Sequence, residues 1–191
     1  MSAWIKMMPV EGARGFLKEM FDKVMTPSGT VDNVMRVHSL RPQSMNGHYT
    51  LYKSVLHHAD LSVPLWFLEA IAVYTSILNR CDYSLMHHYS NFEKLQGDVE
   101  WCRALRKALE EETPEEVLQG KDLALMRYAG KLTKTPGEMV AEDVLSAKRE
   151  GASDEEVLEV NQVCAYFNYS NRTLNGLGVS TEGDTIGYYQ K

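Results

Sequence analysis

Apolar residues recur along this chain at spacings of three and four, the period of an α-helix, and no pair of segments alternates convincingly as strands. Phe16, Leu17, Met20, Phe21 and Val24 form one such stripe, which predicts a helix over Gly15 to Met25. Thr26-Pro27-Ser28-Gly29 breaks it. A short helix is expected from Val31 to Leu40 with Asp32 as its N-cap. Pro42 suits the first turn of the next, running to about His58, because its missing N–H is not needed there.

Ser62-Val63-Pro64 opens a further helix, with Ser62 as candidate N-cap. Its interior, Leu65 to Leu78, is nearly all apolar, which predicts a central, buried element. Asn79 and Arg80 end it, and another helix starts at Cys81 or Asp82 and reaches Leu95. After Gly97-Asp98 come helices over Val99 to Glu111, from a start signal at Thr113-Pro114-Glu115-Glu116, over Asp122 to Thr133, and over Ala141 to Glu150 with Gly151 as its left-handed stop. Ser153-Asp154-Glu155-Glu156 reads as a capping box that opens the last long helix, to about Asn175. Gly176-Leu177-Gly178 ends it and leaves a polar tail with Gly183 and Gly187. The fold class is therefore all-α.

A length of 191 residues suits one domain with a sizeable core, and 44% hydrophobic with 24% charged residues is ordinary for a globular protein. A net charge of -6, with Lys and Arg scattered along the chain, argues against a nucleic-acid partner. No apolar run approaches the roughly 20 residues that span a bilayer, and Lys6 and Pro9 interrupt any signal-peptide core, so no membrane is expected. Three odd, widely spaced cysteines (Cys81, Cys102 and Cys164) do not form a disulfide framework and suit a reducing cytoplasm.

The candidate chemistry lies at one corner. Glu69 sits inside the apolar helix, where a carboxyl is expensive to bury unless partnered. Cys81 follows the turn, and Ser84 and His88 stand three and seven residues beyond it, on one helix face. A thiol at a helix N-terminus meets the positive end of the dipole and unpaired N–H groups, which favour thiolate. Thiolate attacks a peroxide oxygen and becomes a sulfenic acid. His88 could relay the proton and Glu69 could orient the imidazole. Ser84 could hydrogen-bond the thiolate but has no redox chemistry. His57-His58 and His87-His88 invite a metal reading, but adjacent helical side chains point about 100° apart. Gly176 and Gly178 lack the strand and helix of a nucleotide loop. No metal or cofactor is expected.

The order Glu69, eleven residues, Cys81, two residues, Ser84, three residues, His88 resembles the AhpD-like alkylhydroperoxidase group of the carboxymuconolactone decarboxylase superfamily, whose pattern has a second cysteine where Ser84 stands. The likeness extends from about Gly29 to Leu177, through Asn33, Pro42, Leu61-Ser62, Ile71-Ala72, Asn79 to Tyr83 and His87-His88. Downstream it includes Asp122, Ala124-Leu125, Tyr128-Ala129, Lys131-Leu132-Thr133, Pro136, Asp154 to Val157, Phe167-Asn168 and Asn171-Arg172. Tyr83 occupies a position where some members carry histidine.

The resemblance implies a single AhpD-like domain with an N-terminal helical extension and a polar tail, assembled as a trimer or hexamer. It implies peroxide reduction by a thiol pair that an external dithiol recharges, with Glu69, Cys81 and His88 in the family's roles. Because Ser84 replaces one thiol, three readings stand. The first is a peroxidase working through Cys81 with a Glu69/His88 relay. The second is a decarboxylase-like acid–base enzyme acting on a small carboxylated or lactone substrate. The third is a helical oligomer that binds a ligand without redox turnover. Cys102 or Cys164 could resolve Cys81 only if the fold brought one near it.

Overall fold

The structure, a computed structural model, describes residues 2–187. Among the described residues there is no strand, and the helices are α1 (Gly15–Val24), α2 (Asn33–Arg36), α3 (Pro42–Leu56), α4 (Leu65–Leu78), α5 (Asp82–Gln96), α6 (Val99–Glu110), α7 (Gly120–Lys134), α8 (Ala141–Arg149) and α9 (Asp154–Leu177). No helix among them is long and apolar enough to cross a membrane. The fold is all-α, as the periodicity predicts.

α4 is the axis. Residues 67 to 76 are all buried, and the helix packs against α5, α6, α7 and α9. Its apolar circumference is the reason: a helix hydrophobic on every side is stable only when surrounded. α7 comes close enough to α4 that a Cβ on Gly130 would lie 2.8 Å from the Tyr74 ring. A glycine in mid-helix is tolerated here because it lets two helices touch. α1 covers a separate apolar cluster in which Met20, Phe21 and Val24 meet Val31, Met35 and Met45.

The corner between α4 and α5 positions the site. Arg80 adopts a left-handed conformation with φ 52. Its N–H bonds Ile77 O at 3.0 Å, and the Cys81 N–H bonds Ser76 O at 2.9 Å. This is the paired bonding of a Schellman stop, with arginine in the place glycine usually takes. It reverses the chain so that α5 runs back along α4.

Four sequence expectations are corrected, the two capping assignments among them by long-range partners. The helix predicted over Val31 to Leu40 is regular only in α2, with turns up to Leu40. Asp32 stands at its N-cap but makes no capping bond; the Asn33 N–H is taken by both oxygens of Asp184, at 3.1 and 3.0 Å. Ser62 does not cap α4 either. Its N–H and that of Val63 bond the Glu159 carboxylate of α9 at 2.8 to 3.0 Å, which places negative charge near the α4 N-terminus. Thr113-Pro114-Glu115-Glu116 opens only a 3₁₀ turn, Pro114–Glu116. By contrast the Ser153/Glu156 capping box forms as read, with bonds of 3.2 and 2.8 Å.

The polar tail folds back on the body. The Asn33 side chain donates to Ser180 O and Glu182 O, both at 3.0 Å, and Ser180 N bonds Ser2 O at 3.0 Å. A Cβ on Gly187 would collide with Ser90, so the chain passes tightly against α5 there.

Candidate active site

Glu69 has no exposed surface. Its Oε2 lies 2.6 Å from His88 Nδ1, and its Oε1 accepts from Asn91 Nδ2 at 3.3 Å. His88 and Asn91 are three residues apart on α5, so one helix face serves both oxygens. The His88 ring sits edge-on to Phe167 of α9 at 4.5 Å between centroids, which fixes its plane. With Nδ1 committed to the carboxyl, Nε2 is the nitrogen left for chemistry.

His88 is in the wall of a cavity of about 360 Å³. Ser84, His87 and Asn91 of α5 share that wall with His48, Tyr52 and His57 of α3 and with Tyr166 of α9. Asp32, ahead of α2, completes one side. His48 Nε2 and the Tyr166 hydroxyl share a hydrogen bond of 2.9 Å. Burial pushes the His48 pKa down to about 3, with nearby His38 adding to it. It likewise takes His57, beside Lys53 and His88, to about 4, and His87, beside His88, to about 4. At neutral pH these imidazoles are uncharged, and the charged groups of the wall are Lys23, Lys53 and Asp32. Among the described residues no group of three or more His, Cys, Asp or Glu is arranged to hold a metal ion.

Cys81 lies elsewhere. It is the N-cap residue of α5, 1% exposed, and packs with Ala3, Val37, Tyr83, Leu174 and Val179 rather than in the cavity wall. Burial raises its thiol above the ordinary value; the Ser84 hydroxyl and the Ser84 and Tyr83 amides pull the other way. Ser84, where the resemblance has its second thiol, is the residue of this pair that faces the cavity. Cys102 and Cys164 belong to the main core around α4, a different cluster from that of Cys81, so neither is placed as its resolving partner. Of the four residues singled out in the sequence, Glu69 and His88 are joined directly, Ser84 shares their cavity and Cys81 sits behind it.

Several wall residues carried no local signal. Asn91 lies one turn beyond His88 and was legible only once the face of α5 was fixed. His48, Tyr166 and Asp32 come from helices whose docking the sequence does not specify. His57 stands out in the sequence only as half of a histidine pair.

No family model matches the chain. Mouse and human Sestrin-2 are 23% and 24% identical to it over 180 residues, 93% of this chain. The chain spans 35% of the length of these curated relatives. Among solved structures, a peroxidase-related AhpD-core protein from Ralstonia eutropha JMP134 superposes with a TM-score of 0.82 at 18% identity, covering 96% of this chain and 94% of that one. A peroxidase-related protein from Silicibacter sp. TM1040 gives 0.80 at 20% identity, over 99% and 96%. A variant of the debrominase Bmp8 in complex with 2,3,4-tribromopyrrole gives 0.68 at 15% identity, over 96% and 92%. An all-helical chain in which α5 folds back along a buried α4, matched across nearly its whole length by such structures, has the AhpD-like fold of the peroxidase-related proteins.

Proposed function

We propose that the cavity is a small-molecule active site in which the Glu69–His88 pair moves a proton, making the protein an acid–base enzyme on an AhpD-like scaffold. One observation carries this: the 2.6 Å bond from a cavity-wall imidazole to a carboxyl with no exposed surface. A neutral His88 donates its Nδ1–H to Glu69 and presents the Nε2 lone pair to a bound molecule. When Nε2 takes the proton, the imidazolium forms beside the Glu69 carboxyl, which favours it. Asn91 holds the other carboxyl oxygen, so the acceptor for Nδ1–H stays in position. The histidines around it, His48, His57 and His87, are neutral, so none of them competes with His88 as an imidazolium. That a debrominase of the same fold holds a small brominated ring supports a small organic substrate.

The test uses a small uncharged lactone with an acidic C–H, incubated in D₂O and followed by proton NMR. Exchange is expected with wild type and with Cys81→Ala, and is expected to fall by about 10²- to 10⁴-fold in His88→Ala. Exchange that ignores His88→Ala, or none with any variant, overturns the reading.

A second reading, a single-cysteine peroxidase, is favoured by the placement of Cys81 at the α5 N-terminus with the Ser84 hydroxyl acting on its thiol. The Cys81 thiolate attacks the terminal oxygen of an alkyl hydroperoxide, the O–O bond breaks, and the alcohol leaves with a proton from His88. An external dithiol then reduces the sulfenic acid, releasing water and a disulfide of the donor. With tert-butyl hydroperoxide and dithiothreitol, this reading expects turnover that Cys81→Ala abolishes. The acid–base reading expects no such turnover, with Cys81 oxidised no faster than Cys102 or Cys164.

A further inference from the structure

Asp32 directly precedes α2, where an aspartate ordinarily turns its carboxyl onto the first free N–H groups of the helix. Here it does not, because Asp184 has come from the other end of the chain to accept the Asn33 N–H. Asp184 is held in turn by the Tyr83 hydroxyl, which donates to Oδ2 at 2.5 Å and accepts the Val34 N–H at 3.1 Å. The carboxyl relieved of capping lies in the wall of the same cavity as His88. Asp32 is 6% exposed, and its Oδ1 is buried with no hydrogen-bond partner among the described residues. A buried carboxyl oxygen left unpaired is strongly unfavourable, and local rules broken in this way concentrate at functional sites. Burial, with Asp184 behind it, pushes the Asp32 pKa up to about 7.

We propose that Asp32 is the ligand-anchoring carboxyl of this cavity and accepts a hydrogen bond from the O–H or ring N–H of a flat, neutral, weakly acidic ring of the phenol type. The proposal rests on the reading of the cavity as the small-molecule site. The ring is argued from the walls: His48 lies edge-on to Tyr166, with centroids 5.4 Å apart, and Tyr52 lies 5.9 Å from Tyr166. These aromatic surfaces suit a flat partner. The volume suits one substituted ring. Neutrality is argued from charge. A cationic amine would meet Lys23 and Lys53, which also line the cavity, and a carboxylate would meet Asp32 with Asp184 behind it. A neutral donor avoids both conflicts and gives Oδ1 its missing partner.

Calorimetric titration at pH 6 compares 4-nitrophenol with nitrobenzene, the same ring without the donor. Wild type is expected to bind 4-nitrophenol at least tenfold tighter. Asp32→Ala should erase that advantage, while Asp32→Asn, whose amide oxygen still accepts, should keep most of it. Because Asp184 caps α2, both variants should melt as cooperative folded proteins. Equal binding of the two rings by wild type, or an advantage that survives Asp32→Ala, overturns the role of Asp32 and leaves the cavity a binding site. No binding of either ring overturns the ligand class, while the lactone exchange experiment separately decides the acid–base reading.

Discussion

Glu69 and Asp32 are carboxyl side chains withdrawn from water at one cavity, yet the chain surrounds them differently. Glu69 has both oxygens engaged, one by His88 and one by Asn91, in bonds within a single helix pair. Asp32 has an unpaired oxygen and a second acid, Asp184, close enough to raise its pKa. The first carboxyl is satisfied and acts by holding an imidazole. The second is unsatisfied and destabilises the fold until something binds it. A buried polar group with partners rigidifies, and one without is held in place by its surroundings. The pairing therefore distinguishes a group that positions from a group that receives.

The largest effect expected from breaking this contrast is at Glu69. Glu69→Ala leaves His88 Nδ1 and Asn91 without their acceptor and opens a hole in the apolar interior, at a cost of about 3 kcal/mol of stability. It should also reduce proton transfer at His88 as severely as losing the imidazole. Urea unfolding and the lactone exchange rate read the two together. A variant that unfolds like wild type would show that the pair is not the buried, satisfied unit described.

Asp32→Asn should act in the opposite direction, and only above acid pH. The folded-state pKa of Asp32 is about 7 against an ordinary 3.8. Between those values the folded chain holds a proton that the unfolded chain has released, so this group's contribution falls as pH rises and its penalty is complete above about pH 7. Asp32→Asn is therefore expected to be more stable than wild type by roughly 2 kcal/mol at pH 8, with the difference shrinking towards pH 4. The histidines have the reverse sign. His48, His57 and His87 are lowered to about 3, 4 and 4, so their neutral burial stabilises above pH 6.5 and is lost as pH falls through that window. They are common to both proteins and cancel in the difference. Equal stability of the two proteins at pH 8 would mean that Asp32 carries no burial penalty.

A smaller effect tests who caps α2. Asp184→Ala should destabilise by about 1 kcal/mol, the typical loss of an N-cap, because it frees the Asn33 N–H and the Tyr83 hydroxyl. Asp32→Ala should not lose this amount. If instead Asp32→Ala costs more than Asp184→Ala in the same unfolding assay, the capping roles are as the sequence alone would assign them.

That exchange of roles marks what was legible. The all-helical class, the buried α4 and the Ser153/Glu156 capping box rest on short-range periodicity and on side chains three residues apart, and they were readable. The Glu69–His88 contact was readable because one turn links the two helices and an isolated acid in an apolar helix demands a partner. The capping of α2 by Asp184 and the binding of Ser62 and Val63 N–H groups by Glu159 were not, since each partner is about 100 residues or more away. Local capping rules name the residue with the right chemistry, and tertiary packing decides whether that residue is used. The same limit hid the burial of Cys81: its helix-start position was plain, but the segments that cover it, around Ala3 and Val179, come from the two ends of the chain.

The smallest effect concerns the corner that makes the Glu69 side of the comparison work. Arg80 holds a left-handed conformation that disfavours a side chain by about 1–2 kcal/mol, and glycine would relieve it. Glycine also gives up roughly 0.5–1 kcal/mol by loosening the unfolded chain. The net expectation for Arg80→Gly is a gain of a few tenths to 1 kcal/mol in urea unfolding, since the Arg80 N–H bond to Ile77 and the Cys81 N–H bond to Ser76 are backbone bonds that glycine keeps. If that gain appears with unchanged exchange activity, the corner only has to reverse the chain, and the α5 register that brings His88 to Glu69 is set by packing against α4. If stability rises while activity falls, the arginine conformation itself fixes where α5 begins. The satisfied pair would then depend on local strain at the corner, whereas the cost at Asp32 is one of burial.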